Sequence, residues 1–114
     1  MYKRQAVDFL LFRTGWSAYW RTPQYESGYP VLSDEAADYI ARSGCKGVGF
    51  DTLGPDAPDD VTLKNHRKLL ASGRRILIEN LNRLGGCPGD VFHFAAFPLL
   101  WKNADAAPVR AVAW

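Results

Sequence analysis

Five stretches of the chain are dominated by aliphatic and aromatic residues, and turn-forming residues such as Gly, Pro, Asp and Asn separate them. Short apolar runs between such residues are typical of β-strands. The pattern predicts strands over 7–14, 46–52, 75–79, 91–99 and 109–114. Within the second of these, Gly47 and Gly49 indicate that a neighbouring backbone approaches closely.

Two further stretches have helical spacing. Ser33 can cap the first, because its hydroxyl can accept a hydrogen bond from an amide of the first turn. One apolar stripe is formed by Ala36, Ala37, Ile40 and Ala41. Gly44 can adopt the left-handed conformation that ends a helix. We predict one helix over 34–43 and a shorter one over 63–72 that ends at Gly73.

The order of these elements is strand, helix, strand, helix, strand, strand, strand. Strands joined through a helix are normally parallel, whereas the connections between the last strands allow antiparallel pairing. The sequence therefore predicts an α/β fold with a mixed sheet and flanking helices. A length of 114 residues suffices for one domain, which we expect to cover 1–114.

The segment 15–30 interrupts the hydrophobic pattern with Gly, Pro and Ser, and is typical of a long loop. Loops of this length in a compact domain are usually functional or mobile. It carries five aromatic residues, Trp16, Tyr19, Trp20, Tyr25 and Tyr29. Two interpretations remain open. The rings line a pocket for a flat substrate, with Trp16, Tyr19 and Trp20 as the candidates, or they pack the loop onto the sheet or into a subunit interface.

Charge and composition narrow the function classes. The chain has 14 basic and 12 acidic residues, a net charge of +2 and a hydrophobic content of 47%. The charges are mixed along the chain without the basic stripe of a nucleic-acid or membrane-surface binder. The longest nearly unbroken apolar run, 94–101, is far shorter than the ~20 residues of a membrane span. We expect neither a nucleic acid nor a membrane as partner.

The two cysteines, Cys45 and Cys87, form neither a C-x-x-C motif nor a zinc-ribbon spacing. Two reduced thiols in a cytoplasmic protein are the favoured interpretation, and a disulfide between them is the alternative. Near the N-terminus, Asp8 and Arg13 bracket a short apolar run, 9–12, which does not make the hydrophobic region of a signal peptide.

Three charged residues stand at the ends of predicted strands, where α/β folds bind ligands. Asp51 either caps the turn that follows it, which we favour, or faces a substrate pocket. Glu79 follows Ile-Leu-Ile, so its carboxylate is expected to be partly buried and to need a metal ion or an arginine as partner. Arg13 would bind an anion or pair with an acidic neighbour.

His66 precedes Glu79 by 13 residues and lies on the second predicted helix. An imidazole and a carboxylate from neighbouring elements suit Zn²⁺, Mn²⁺ or Fe²⁺. Two ligands do not make a site, however, and a surface or helix-capping histidine is the alternative. His93 lies between Phe92 and Phe94 and is expected to be a cross-strand or surface residue. The G-x-S-x-G, P-loop and H-E-x-x-H motifs are absent from the sequence.

Seven blocks in order resemble the C-terminal half of the cyclase family, the metal-dependent hydrolases that include bacterial kynurenine formamidase and isatin hydrolase. The blocks are DFLLFRTGWSAYW (8–20), GYPVLSDEAADYIARSG (28–44), KGVGFDT (46–52), NHRKLLASG (65–73), ILIENLNRL (76–84), FHFAAFPLLW (92–101) and APVRAVAW (107–114). Together they cover nearly the whole chain.

The resemblance implies a swivelling β/β/α fold, a dimer or larger homo-oligomer, and Zn or Mn as cofactor. It matches His66 to a metal ligand and Glu79 to the carboxylate that binds or bridges the metals. The implied function is hydrolysis of amide or formamide C–N bonds in a small aromatic or amide substrate, as in kynurenine formamidase.

One departure from the family pattern limits this expectation. The family signature H-x-G-T-H-x-D-x-P-x-H, which supplies most metal ligands and the acid/base histidine, does not occur in this sequence. We therefore expect a weak or incomplete metal site, no assignable catalytic residue, and a second copy or a partner that supplies the missing half. The chain would be a truncated product, a fragment or one piece of a split protein. The alternative is a non-catalytic homologue that serves as an oligomerising or small-molecule-binding domain.

Overall fold

The computed structural model describes residues 6–114 and contains each predicted strand and helix. The strands are β1 (Phe9–Phe12), β2 (Gly47–Phe50), β3 (Ile76–Ile78), β4 (Phe94–Pro98) and β5 (Val109–Ala113). The helices are α1 (Asp34–Arg42) and α2 (Lys64–Leu70). The chain divides into two compact units, the first extending to Asn82 and the second covering Arg83–Trp114. The prediction of a single domain over 1–114 stays a prediction.

The first unit contains a parallel sheet in the order β1-β2-β3. Leu10 pairs with Val48, and Val48 with Leu77. Helix α1 connects β1 to β2, and α2 connects β2 to β3, so both crossovers have the predicted form. The strand ends consequently meet at one edge of the sheet, which we call the carboxyl edge. Among the described residues, no helix has the length and apolar character needed to cross a membrane.

The core of the first unit lies on one face of this sheet. Because side chains alternate between faces along a strand, every second residue points towards the helices. The buried cluster consists of Ile40, Cys45, Val48, Phe50 and Leu69, with Leu10, Phe12, Leu32 and Leu77 packed against it. The rings of Phe12 and Phe50 stack with centroids 5.5 Å apart. Strand β2 is buried along its whole length, as expected of the central strand.

The two glycines of β2 face the opposite side, where side chains rather than a backbone approach them. A Cβ at Gly49 would lie 2.6 Å from Leu11 Cδ2 and 2.7 Å from Leu81 Cδ1. A Cβ at Gly47 would clash with the ring of Phe9. The predicted close approach is therefore present, but its cause is different. The larger side chains of β1 occupy the space above the glycines of β2.

In the second unit, β4 and β5 pair antiparallel, with Phe94 opposite Ala113 and Pro98 opposite Val109. His93 and Trp114 flank this pair, with their rings stacked at 5.5 Å between centroids, which confirms the cross-strand interpretation of His93. The predicted mixed α/β fold is confirmed. Its parallel and antiparallel pairings belong to two separate sheets of the described chain instead of one.

The helix ends follow the sequence signals in part. Ser33 Oγ accepts a hydrogen bond from the Ala36 amide at 3.2 Å, as predicted for the start of α1. Gly73 has a φ of +65° and follows α2, also as predicted. The prediction for Gly44 is wrong, because this residue does not have the positive φ of the left-handed conformation. Ser43 is instead extended, and its hydroxyl donates to Ile40 O at 2.7 Å, so the last turn of α1 needs no left-handed residue.

Arg75 fixes the ends of both helices from the start of β3. Its guanidinium is buried and donates to four backbone carbonyls: Ile40 O at 3.0 Å, Ser43 O at 3.1 Å, Cys45 O at 3.2 Å and Leu69 O at 2.9 Å. The carbonyl ends of helices carry partial negative charge, which stabilises a buried cation without a carboxylate. A planar guanidinium has the fork of donors that this arrangement needs.

Replacing Arg75 by lysine should destabilise the first unit. Lysine keeps the charge but cannot reach four carbonyls, so we expect Arg75→Lys to lower the free energy of unfolding by about 2 kcal/mol, the cost of buried polar groups left without partners. Urea denaturation measures this loss. Arg74→Lys is the matched control, because Arg74 is exposed. Equal stability of the two variants would contradict the role assigned to Arg75.

Candidate metal centre

The carboxyl edge of the parallel sheet brings distant parts of the first unit together. The Asp51 amide donates to Phe12 O at 3.3 Å, and the Asn80 amide donates to Thr52 O at 2.9 Å. These hydrogen bonds extend the pairing beyond the strands. They place the residues after β1, β2 and β3 side by side, which is the usual location of ligand sites in α/β sheets.

Asp51 holds the loop after β1 in place. It is only 1% exposed, and its carboxylate accepts from the Thr14 amide, the Thr14 hydroxyl at 2.7 Å and the Gly15 amide at 2.8 Å. We predicted that Asp51 caps the turn that follows it. This is wrong, because the hydrogen-bond partners of Asp51 lie in another segment, after β1. The amides that donate to this carboxylate belong to Thr14 and Gly15. A contact between Asp51 and a substrate stays a prediction.

His66 and Glu79 meet at this edge. His66 lies in the first turn of α2, Glu79 follows β3 directly, and His66 Nε2 lies 2.9 Å from Glu79 Oε1. Their side chains are 27% and 34% exposed, so solvent and small ions can reach both. The structure thus brings together the imidazole and the carboxylate singled out in the sequence.

A third residue, Asp56, contacts the other nitrogen of the same ring. Asp56 Oδ2 lies 2.7 Å from His66 Nδ1 and also accepts from the His66 amide at 3.0 Å. Asp56 Oδ1 accepts from the Asn65 amide at 2.7 Å. Leu63, the residue before α2, makes no side-chain cap. Asp56 therefore satisfies the Asn65 and His66 amides from nine and ten residues away in the sequence.

Gly54 gives this cluster its room. A Cβ at Gly54 would lie 2.8 Å from Glu79 Oε1 and 3.2 Å from His66 Cε1. The backbone of the loop after β2 can therefore approach the imidazole and the carboxylate only because residue 54 has no side chain. Neither Gly54 nor Asp56 was singled out from the sequence. Their partners depend on the path of that loop.

Two tyrosines connect the aromatic loop to the cluster. Tyr25 donates its hydroxyl to Asn80 Oδ1 and Tyr29 to Asp56 O, both at 2.9 Å. Burial raises the pKa of Tyr25, and the charges of Asp51 and Glu79 raise it further. Burial also raises the pKa of Tyr29, with the negative charge of Glu79 as the next cause. The carboxylates that add to these shifts, Asp51, Asp56 and Glu79 among them, lie at the carboxyl edge, where negative charge favours a cation.

The other aromatic residues of this loop lie in or beside two short 3-10 helices, Trp16–Tyr19 and Pro23–Glu26. Trp16 donates Nε1–H to Tyr25 O at 3.0 Å, and Trp20 meets the Tyr25 ring edge-on at 5.0 Å between centroids. These contacts favour packing for the inner rings. Tyr19, Trp20 and Arg13 are exposed, and a role for them or for Trp16 in a substrate pocket stays a prediction.

Cys45 and Cys87 are free thiols.

The donors at this edge fit zinc or manganese in kind. Imidazole nitrogen and carboxylate oxygen are ligands of both metals, and His66 Nε2 and Glu79 Oε1 already converge. Their number is incomplete, because catalytic zinc sites take three protein ligands. Both oxygens of Asp56 are engaged by α2. Within residues 6–114, no group of three or more His, Cys, Asp or Glu side chains is arranged to hold a metal ion.

The shared influence of Glu79 on the two tyrosines gives a test of the site's electrostatics. A carboxylate opposes formation of a phenolate, so Glu79→Gln should lower the pKa of both Tyr25 and Tyr29 towards the ordinary value. Carbon-13 NMR of labelled tyrosine rings across an alkaline titration measures the shift. Glu35→Gln, at an exposed position of α1, is the control. Unchanged tyrosine titration in Glu79→Gln would contradict this geometry.

The amino-acid sequence of this chain is similar to those of several known proteins. The family model described as "Putative cyclase" matches residues 2–57. An uncharacterised protein of Methanocaldococcus jannaschii is 36% identical over 97% of this chain and 56% of its own length. A Bacillus cereus kynurenine formamidase is 32% identical over 95% of this chain and 50% of its own length. The chain thus spans about half the length of these curated relatives.

Solved structures agree with the sequence comparison. A potential metal-dependent hydrolase with cyclase activity superposes with a TM-score of 0.77 and 31% identity, over 98% of this chain and 53% of the other. A protein from Bacillus stearothermophilus described as a "predicted metal-dependent hydrolase" gives a TM-score of 0.76 and 32% identity, over 97% of this chain and 51% of the other. In sequence and in fold, this chain is therefore similar to proteins of the cyclase family, and it spans about half the length of the proteins it matches.

Proposed function

We propose that this chain supplies two ligands, His66 and Glu79, to the metal centre of a hydrolase that acts on amide or formamide C–N bonds, as a kynurenine formamidase does. The observation that carries the proposal is the approach of His66 Nε2 to Glu79 Oε1 at 2.9 Å on the carboxyl edge of the sheet. The names of the relatives, kynurenine formamidase and metal-dependent hydrolase, support the reaction class.

The chain's own residues would hold and orient the metal ligands. Helix α2 carries the imidazole and β3 carries the carboxylate, and the buried hydroxyls of Tyr25 and Tyr29 brace the two loops on which these ligands depend. A bound divalent metal lowers the pKa of its water and polarises a substrate carbonyl. The carboxylates of Asp51, Asp56 and Glu79 at this edge would attract such a cation.

We propose that another polypeptide provides the remaining ligands and the acid/base group, because no group of three or more His, Cys, Asp or Glu side chains within residues 6–114 is arranged to hold a metal ion. A partner chain that resembles the other half of the curated relatives, or a second copy of this chain, would provide them. Zinc and manganese are the proposed metals, because both accept a mixed nitrogen and oxygen ligand set.

Manganese binding tests the proposal even if the affinity is low. Paramagnetic Mn²⁺ should broaden the amide signals around Gly54, His66 and Glu79, and added Zn²⁺ should reverse the effect by competition. His66→Ala should weaken binding at least about 10-fold, since one of two protein ligands is lost. His93→Ala, which changes the histidine of the second unit, should bind like the unmodified chain. Broadening that is uniform, or equal in both variants, would refute the assignment.

Activity separates the proposed hydrolase from a binding protein. In an assembly with a partner that supplies the other ligands, hydrolysis of an aryl formamide in the presence of Mn²⁺ should be lost in His66→Ala and retained in His93→Ala. Binding of metal by that assembly without any hydrolysis would favour the non-catalytic alternative.

The exposed side chains of the second unit suggest that it also contacts another protein chain. Several large apolar side chains of this unit are exposed, among them Phe97, Leu99, Leu100, Trp101 and Trp114, and Leu100 is 97% exposed. A pair of strands is at most marginally stable alone, and exposed apolar patches commonly mark interfaces. We therefore propose that this unit takes part in a homo-oligomer or in binding a partner chain.

Sedimentation measures this association directly. We expect the chain to be a dimer or larger in solution. Replacing Leu100 and Trp101 together by lysine should shift it towards the monomer, because a charged ammonium disfavours burial in an apolar contact. The double replacement of Lys102 and Asp105 by serine is the control for charge changes in the same segment. A chain that is monomeric at all concentrations would contradict the proposed interface.

A further inference from the structure

Both ring nitrogens of His66 face a carboxylate. Nδ1 lies 2.7 Å from Asp56 Oδ2, and Nε2 lies 2.9 Å from Glu79 Oε1. A neutral imidazole has one N–H and one lone pair, so it can donate to only one of these oxygens. The two carboxylates therefore compete for the single proton of the ring.

The surroundings of the two carboxylates are unequal. The side chain of Asp56 is 2% exposed, whereas that of Glu79 is 34% exposed. A buried carboxylate gains more from each hydrogen bond, because water cannot replace a missing donor. Asp56 is also held by two amides of α2, and its own carbonyl accepts from Tyr29, so it cannot turn away from the ring.

We propose that Asp56 is a positioning residue that keeps the proton of His66 on Nδ1 and thereby leaves the Nε2 lone pair facing Glu79. Two atoms with lone pairs, Nε2 and Oε1, then lie 2.9 Å apart with no proton between them. Such a pair is unfavourable by itself and is relieved by a divalent cation that binds both atoms. This inference deepens the proposed function and rests on it for the identity of the cation.

A purely structural role for Asp56 predicts something different. As a cap, Asp56 would stabilise the start of α2 and leave the ring free to place its proton on either nitrogen. Asp60 offers the comparison, because its carboxylate also accepts from nearby backbone, at the Thr62 amide, without contacting His66. A variant at Asp60 therefore perturbs the same loop and helix entry but not the imidazole.

The test is the position of the proton on the neutral His66 ring in the chain without metal. Nitrogen-15 NMR reads it from couplings between ring nitrogens and ring protons, at a pH where the same spectra show no ring protonated on both nitrogens. His93 is the internal reference. We expect the proton on Nδ1 in the unmodified chain, in Asp60→Asn and in Glu79→Gln. In Asp56→Asn we expect the proton on Nε2, where it can donate to Glu79. We also expect Mn²⁺ affinity to fall about 10- to 100-fold in Asp56→Asn, as for other residues that orient a metal ligand.

A proton on Nε2 in the unmodified chain would overturn the inference, as would a ring that stays protonated on Nδ1 in a folded Asp56→Asn. If Asp56→Asn does not fold, the unmodified chain and Glu79→Gln still decide, because the proposal requires Nδ1–H in both. An Asp56-dependent tautomer in a chain that does not bind Mn²⁺ at His66 would support the positioning role and refute the proposed function. The two claims can therefore fail separately.

Discussion

The carboxyl edge of the parallel sheet depends on the need of buried carboxylates for N–H donors. Burying a carboxylate without donors costs far more than this small sheet could offset. Asp51 takes its donors from the loop after β1, and Asp56 takes its donors from the first turn of α2. Each carboxylate thus fixes the entry of one segment onto the sheet. Glu79 contacts the His66 ring at 2.9 Å and remains partly exposed, so it is the carboxylate of this edge that can take an ion.

Local signals in the sequence were sufficient for most of the fold. Hydrophobic period, a capping serine and a terminating glycine are properties of neighbouring residues, and they located the strands and helices within a few positions. Gly44 was misjudged because the end of α1 is completed by Ser43 and by a distant arginine. The antiparallel pair was foreseen, whereas its separation into a second sheet depends on pairing between distant segments that no local pattern encodes.

Only part of the candidate site could be predicted from the sequence, because local patterns identify some of its residues and not others. His66 and Glu79 stand at places that local rules recognise, a helix start and a strand end. Asp56 precedes its imidazole partner by ten residues in a loop without regular structure, so capping rules that look directly before a helix do not find it. The partners of Asp51 were misjudged in the same way, because they come from another strand end. The chain spans about half the length of the relatives it matches.

The guanidinium of Arg75 has a consequence for motion as well as for stability. One group holds carbonyls at the ends of α1 and α2 and in the turn before β2. If either helix end frays, the guanidinium loses the contact that holds it in position, and its hydrogen bonds to the end of the other helix weaken as well. Local opening should then be shared, with amides at both ends exchanging with solvent as one cooperative unit rather than as two independent ones.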